Sequence, residues 1–584
     1  MGFGSNRWSA LGAAATLIAV VVAAGCGGSS KHSIKPAPPT RRTPGLLGGG
    51  NAANRSAGTV ASYTPTGNIV ADDGFRPWVD GFGFENYGND VGPQNLTAAQ
   101  LEDLFGTQVC ARGTGARCQL TSVAQEWMAA ENSRMAGGHC MGFSVTALEF
   151  FSHYRHTQDY GAKTTISLPI RNNVSLQSLL AEDWTFQDLP SVEQKRVTGT
   201  PTAVLRKLIA VLNGGRELYT IAIFKRDGTG GHAVTPFAVE DKGQGTFAIL
   251  IYDNNFPGVI RAIRVNTQAD TWRYVGGPDP SDTSELYDGD ARTRSLFLLP
   301  TTPGLVRQPC PFCNGSQRAN SSQTGSVLAP GQRYDQLTLI GNPANHGHLI
   351  LRDDQGRVTG FVGGRVVNGI PGVRIQSTIT SQNWAEAPEP TYLIPPATAV
   401  SVTLDGSDLA RPDKERVDLI GPGLYAQADD IQLKPGETNV VDFRGGATGF
   451  TFHTDPHHDQ TPLLVSAIQE GRTSYAFASV AVGVKGGSRL TMYIDKQSGY
   501  FAIDTRGTKG NIAKTGYAVY VLSVVRETPQ GESVWATGKL LLKRGQLAIV
   551  DYRHLPKAGK PLQVTTGAPG GKISFQTVPA EKSK

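Results

Sequence analysis

Three residues of the chain combine the types, spacing and local setting of a nucleophilic catalyst. Cys140 lies in Gly137-Gly138-His139-Cys140-Met141-Gly142-Phe143-Ser144, and Met141, Val145, Leu148 and Phe151 follow at helical spacing. The cysteine is therefore expected to open a helix whose other face is core. Amides and dipole at a helix N-terminus favour an anion, and the thiolate is the nucleophilic form of cysteine. His232 lies in Gly230-Gly231-His232-Ala233-Val234, after an apolar run over 218–224 and a turn at Asp227-Gly228, and it opens a strand-like run to Val239. Asp253 follows the apolar run 247–252 and begins Asp253-Asn254-Asn255-Phe256-Pro257-Gly258. An acid or amide just past a strand end, here Asp253 or Asn254, can orient an imidazole through its second ring nitrogen. The histidine comes 92 residues after the cysteine and the aspartate 21 residues after the histidine. Each residue also has a plainer reading: a buried inert thiol, a structural histidine, a residue in a strong turn signal. Their joint occurrence in this order is what points to chemistry.

The elements needed to position them are present. The pattern resembles papain-like cysteine peptidases, especially bacterial peptidase C39-like proteins, over roughly residues 70–300. The glycine-flanked cysteine opening a helix carries this resemblance. So does the helix-strand segment from Leu205 to Phe224, with Leu212-Asn213-Gly214-Gly215 at its hinge, followed by His232-Ala233-Val234 and the strand ending in Tyr252-Asp253-Asn254. The resemblance implies Cys140 as nucleophile, His232 as general base and Asp253 as the group that orients it, with neither cofactor nor metal. One position departs. Such enzymes carry a glutamine about six residues before the cysteine, where its amide completes the oxyanion hole, and Arg134 stands there. Asn132, near the end of the preceding helix, and Gln125, in an expected capping box from Ser122, are the side-chain donors upstream, though Gln125 can be wholly used in capping. Losing one oxyanion donor costs on the order of a hundredfold or more in rate.

The remaining cysteines indicate the compartment. Arg7 and the apolar run 11–24 lead to Ala23-Ala24-Gly25-Cys26, which resembles a bacterial lipobox with Ala23 where leucine is usual. Residues 1–25 are thus expected to be a lipoprotein signal peptide. Cys26 is expected to be lipidated and to anchor the protein to the outer face of the cell membrane, the chain being otherwise secreted. Residues 26–66 are expected to be a disordered Ser/Pro/Gly/Arg-rich tether. Thiols oxidise outside the cytosol. Cys110 and Cys118 flank a Gly/Arg loop and can close a disulfide, and Cys310 and Cys313 can close another. The alternative for the second pair is half of a zinc site, but no second ligand pair has the right spacing. That leaves Cys140 unpaired. His153 and His156 are expected near the exposed end of the helix after Cys140. His346, His348 and the segment from His453 to Asp459 have metal-capable composition but read as solvated loops, so no metal site is expected.

The 584 residues suggest three or four folded units at roughly 100–200 residues each. The net charge of +6 is spread without a dense basic run, which argues against a nucleic-acid partner. The expected fold class is an α+β papain-like domain over 67–300 followed by all-β antiparallel sandwich modules. A linker with the Cys310/Cys313 pair spans 301–325. Short alternating runs between turns then give sandwich modules over 326–412 and 413–565 and a flexible tail over 566–584.

The function expected is an extracytoplasmic thiol hydrolase or acyl-transferase acting on an amide, with a peptide or cell-wall cross-bridge as substrate. The alternative is an inactive papain-like surface protein whose β modules bind wall polymer or a protein partner. A transglutaminase-like fold shares the Cys-His-Asp order. The long Cys-to-His interval, with its own helix-strand unit, argues against it.

Overall fold

The computed structural model describes residues 62–578 apart from 90–92, 227, 229, 280–284, 315–332, 381–388, 397, 444–447, 511–516 and 568–572. The expected signal peptide, Cys26 and nearly all of the tether lie outside the described residues. Among the described residues, no helix is long and apolar enough to cross a membrane.

The chain enters through strand β1 (Asn68–Asp72) and builds a helical layer. This comprises α1 (Ala98–Phe105), a small hairpin of β2 (Cys110–Arg112) and β3 (Gln119–Leu120), α2 (Ser122–Arg134), α3 (Cys140–Phe151), α4 (Val174–Trp184), α5 (Pro190–Glu193) and α6 (Pro201–Leu212). Disulfides join Cys110 to Cys118 and Cys310 to Cys313, as the sequence suggested, and leave Cys140 as a free, buried thiol. Helix α2 starts differently from expectation. Thr121 is the N-cap, accepting from the Ala124 N–H at 3.3 Å, while the Ser122 hydroxyl donates to Glu527 at 2.8 Å. No Ser122–Gln125 box forms, because Ser122 is already the first helical residue.

A sheet follows: β4 (Tyr219–Phe224), β5 (Gly231–Asp241), β6 (Thr246–Tyr252), β7 (Ile260–Asn266), β8 (Thr271–Val275), β9 (Leu286–Asp290) and β10 (Leu296–Pro300). Its order is β10-β4-β5-β6-β7-β8-β9, with β1 also paired to β5. Strand periodicity assigns the two faces. Ile249 and Ile251 of β6 pack with Leu205 and Leu208 of α6. Ala248, Leu250 and Tyr252 pack with Phe143 and Leu148 of α3. The sheet thus lies between α6 on one side and α3 and α4 on the other. Thr200 caps α6 at the Ala203 N–H, and Pro201 occupies its first turn, where a missing N–H is tolerated.

The C-terminal half differs from the two modules expected. Its strands form two long antiparallel sheets, of ten and eleven strands among the described residues, and each sheet takes strands from both sides of residue 412. In the ten-stranded sheet, Asp335–Ile340 pairs with Asp413–Gly421; in the other, Val400–Asp405 pairs with Thr438–Phe443. Alternation along a strand marks inward and outward faces but not the pairing partner, so the division at 412 was not real. The faces themselves are clear. Leu419, Ala426, Leu464 and Phe477 point between the two sheets. Their neighbours Ile420, Tyr425, Leu463 and Ala478 point outward and join a second core with Trp127 of α2, Cys140 and Phe312. The expected flexible tail from 566 is also corrected. Strand Leu562–Gly567 pairs along its length with Ile573–Val578, which forms one edge of the eleven-stranded sheet.

Candidate active site

Cys140 is the first residue of α3, with His139 as N-cap and Gly138 at φ 134°. Gly138 adopts a conformation that a side chain disfavours. Gly142, one turn into the helix, allows close approach to α4: a Cβ there would lie 1.9 Å from the Leu180 carbonyl oxygen. The helix that carries the thiol is therefore locked against its neighbour through a bare backbone.

His232 is the second residue of β5, opposite Ile223 of β4. Asp253 follows the last residue of β6. Pairing of Thr235 with Tyr252 brings the start of one strand beside the end of the other. The His232 Nε2–H then donates to Asp253 Oδ1 at 2.9 Å. The Cys140 thiol also acts on the imidazole, which it helps to raise. All three side chains are buried.

The electrostatics of this trio are strong. Burial works against charge on His232, but the Asp253 carboxylate, its hydrogen bond and the Cys140 thiol outweigh it and raise the imidazole to about 10. Burial likewise works against charge on Asp253. The His232 imidazolium, the Tyr274 hydroxyl and the Asn255 N–H nevertheless hold its carboxyl below the usual range. Tyr274 of β8 donates its O–H to Asp253 Oδ2, and the Asn255 N–H reaches Oδ1 at 2.9 Å. Tyr287 of β9 lies near the same group, its ring centroid 6.4 Å from that of His232.

The other expected site residues separate. Asn254 is at the site: its amide donates to the Ala233 carbonyl at 2.8 Å and to the Cys140 carbonyl at 3.2 Å, tying α3 to the strand ends. Asn132 is not. Its side chain exchanges two hydrogen bonds with the Leu96 backbone, at 3.0 and 3.1 Å, and so pins the entry to α1. Gln125 lies in the first turn of α2 and Asn132 in its last, both upstream of the Cys140 turn. Arg134, where a glutamine was expected, is buried and donates to Glu131 at 2.5 Å and to Asp188 at 2.9 Å. His139 is adjacent to Cys140 in sequence, yet its ring points away, to the Tyr87 carbonyl at 2.6 Å and Asn95 at 3.0 Å. Burial pushes that imidazole down to about 4, which keeps it neutral.

A residue without a local sequence signal lies beside the turn before the thiol. Asn86, in the extended segment before α1, accepts the His139 N–H at 2.7 Å through Oδ1. Its amide nitrogen would lie 2.8 Å from a Cβ at Gly138, so it faces the turn that precedes the thiol. The Asn86 N–H also donates to the Asn254 carbonyl at 2.9 Å.

His153 and His156 are exposed, as expected, whereas His346 and His348 are buried rather than solvated. His346, His348 and Glu389 are buried and place their ligand-capable atoms within 4.8 Å of one another. Glu389 accepts from the Leu349 N–H and the Tyr392 hydroxyl through Oε1 and faces His348 Nδ1 at 2.9 Å through Oε2. These bonds make it the centre of a satisfied polar network. His453, His457 and His458 pair with Asp442, Asp455 and Glu437 respectively.

No family model, curated protein or solved structure matches the chain.

Proposed function

We propose that this protein is a papain-like thiol hydrolase or acyl-transferase that acts on an amide substrate, held outside the cell membrane by lipid on Cys26. The observation that carries the reading is the connected Cys140–His232–Asp253 arrangement, with the thiol at a helix N-terminus and the imidazole between sulfur and a buried carboxylate. In this reading, the Cys140 thiolate attacks the amide carbonyl. His232 Nδ1 then gives its proton to the leaving amine, and water or a second amine, deprotonated by the same nitrogen, resolves the thioester. Asp253, itself held by Tyr274, keeps the ring oriented and stabilises its positive charge. The Cys140 backbone N–H and the Asn86 amide supply the oxyanion donors, the second replacing the missing glutamine.

Site-resolved alkylation at pH 6 tests this. The Cys140 peptide is quantified by mass spectrometry in the wild-type chain and in His232→Gln. Both share the same burial, so their ratio reports the imidazole alone. A loss of tenfold or more in His232→Gln is expected, because a thiol with a pKa near 8.5 is almost wholly protonated at pH 6. Equal rates would overturn the reading. Complete burial of the thiol is the observation that favours an inactive surface protein instead, so what causes that burial decides between the two.

A further inference from the structure

The site is closed by a part of the chain that arrives from the C-terminal half. Strand β5 pairs with β4 from Gly231 to Val234, but with β6 only from Thr235 onward. Its other edge at Gly231 is therefore open to a further strand, and Ile379 bridges to Gly231 there in parallel. The Thr380 N–H donates to the Gly231 carbonyl at 3.1 Å, directly before His232. The Ile379 N–H donates to Gln187 Oε1 at 2.8 Å. On the opposite wall, a Cβ at Gly138 would lie 2.3 Å from the Thr380 carbonyl oxygen, and one at Gly137 would lie 2.8 Å from the Thr380 side chain. Thr380 thus lies at a bend directly after the Ile379 bridge, between the residue before His232 and the glycines before Cys140.

The way this segment is held is informative. At the cleft the segment's hydrogen bonds are made by its backbone, while the Thr380 hydroxyl is buried with no hydrogen-bond partner. Side-chain anchors lie further back: Thr378 Oγ1 accepts from Arg134 at 3.3 Å, and the Gln376 amide donates to the Gln187 carbonyl at 3.2 Å. An extended chain that joins a sheet edge through main-chain bonds is the general mode by which proteins receive peptide strands.

We propose that the cleft is built for an extended polypeptide and that residues 376–380 are its resident occupant, a tethered competitor that must leave before a substrate strand enters. This rests on the thiol-hydrolase reading and supplies its substrate class and its regulation. A tethered occupant acts at an effective concentration on the order of millimolar, so free peptide competes poorly until the strap is displaced. The arrangement also explains why Arg134 replaces the glutamine: it holds Thr378 of the occupant.

The test uses the full chain. Thr380→Pro removes the N–H donated to Gly231. A second variant, Gln376→Ala with Thr378→Ala, removes only the distant anchors and stays clear of the cleft. Iodoacetamide labelling of Cys140 at pH 7 is expected to rise at least tenfold in Thr380→Pro and severalfold in the double variant. An acetylated peptide with the sequence of residues 376–380, at millimolar concentration, is expected to slow labelling of the opened chains severalfold. Wild-type labelling rates in folded variants, or no protection by the peptide, would overturn the proposal. The pH profile separates the two ideas. If opened chains label fast but their rate climbs tenfold per pH unit from 6 to 8, like an ordinary thiol, occupancy stands and the Cys140–His232 reading falls.

Discussion

At the residue scale, His232 is the group on which both the proposed chemistry and a pH-dependent part of the stability turn. Its imidazole is raised to about 10, above the roughly 6.5 of the unfolded chain. A raised folded value means that the imidazolium stabilises the fold fully below about pH 6.5 and loses that contribution as pH rises through about 10. The difference in Tm between wild type and His232→Gln is therefore expected to shrink between pH 6.5 and 10. A constant difference across that range would contradict the charge assignment. Tyr274→Phe removes one donor to Asp253 and is expected to cost about 1–3 kcal/mol of stability, read by urea unfolding, while leaving the Cys140–His232 contact in place. Cys140, His232 and Asp253 were legible in the sequence because each carries a local signature and the order of the three is itself a pattern. Asn86, Tyr274 and Gln187 were not. Each is an ordinary polar residue brought in by pairing or by a loop whose path no local signal encodes.

At the element scale, α3 positions Cys140, and the bare backbone of Gly142 seats the helix. Gly142→Ala would place a methyl group against the Leu180 carbonyl. Overpacking of this kind is expected to lower stability by about 1–3 kcal/mol or more and to move Cys140 out of register with His232. The melting temperature and the pH 6 labelling rate are both expected to fall, and unchanged values would show that α3 can slide. The helix start was readable from its glycines and apolar spacing. Arg134, at the position where the resemblance implies a glutamine, was readable as a departure, but its role was not, because its partners Asp188 and Thr378 come from different parts of the chain. Strand positions in the C-terminal half were visible from alternation. Sheet membership was not, because a period of two fixes faces and leaves partners open.

At the scale of the whole molecule, the β half is both a support for the site and the source of its occupant. The outward face of the ten-stranded sheet shares a core with α2, in which Trp127 stacks on Phe312 with centroids 5.1 Å apart and donates to Gln336 at 3.2 Å. This shared core joins the halves into one cooperative unit. Calorimetry of the intact chain is expected to show one dominant transition. Trp127→Ala, which should cost about 3–5 kcal/mol, is expected to separate it into two. Two transitions already present in the wild-type chain would show that the halves are only loosely joined, and a loosely joined β half could not hold residues 376–380 in the cleft.

The central claim is that Cys140 is a nucleophile served by His232 in a cleft that reads an extended peptide backbone. The most direct measurement is covalent capture by a peptidyl vinyl sulfone that carries the sequence of residues 377–380. The thiolate adds to the vinyl carbon, and the proton from His232 completes the addition. The account predicts a single adduct on Cys140 at pH 6 in the Thr380→Pro chain, slowed at least tenfold by His232→Gln and blocked by the free peptide. Labelling that ignores His232 and the peptide, or no adduct on an exposed Cys140, would contradict it.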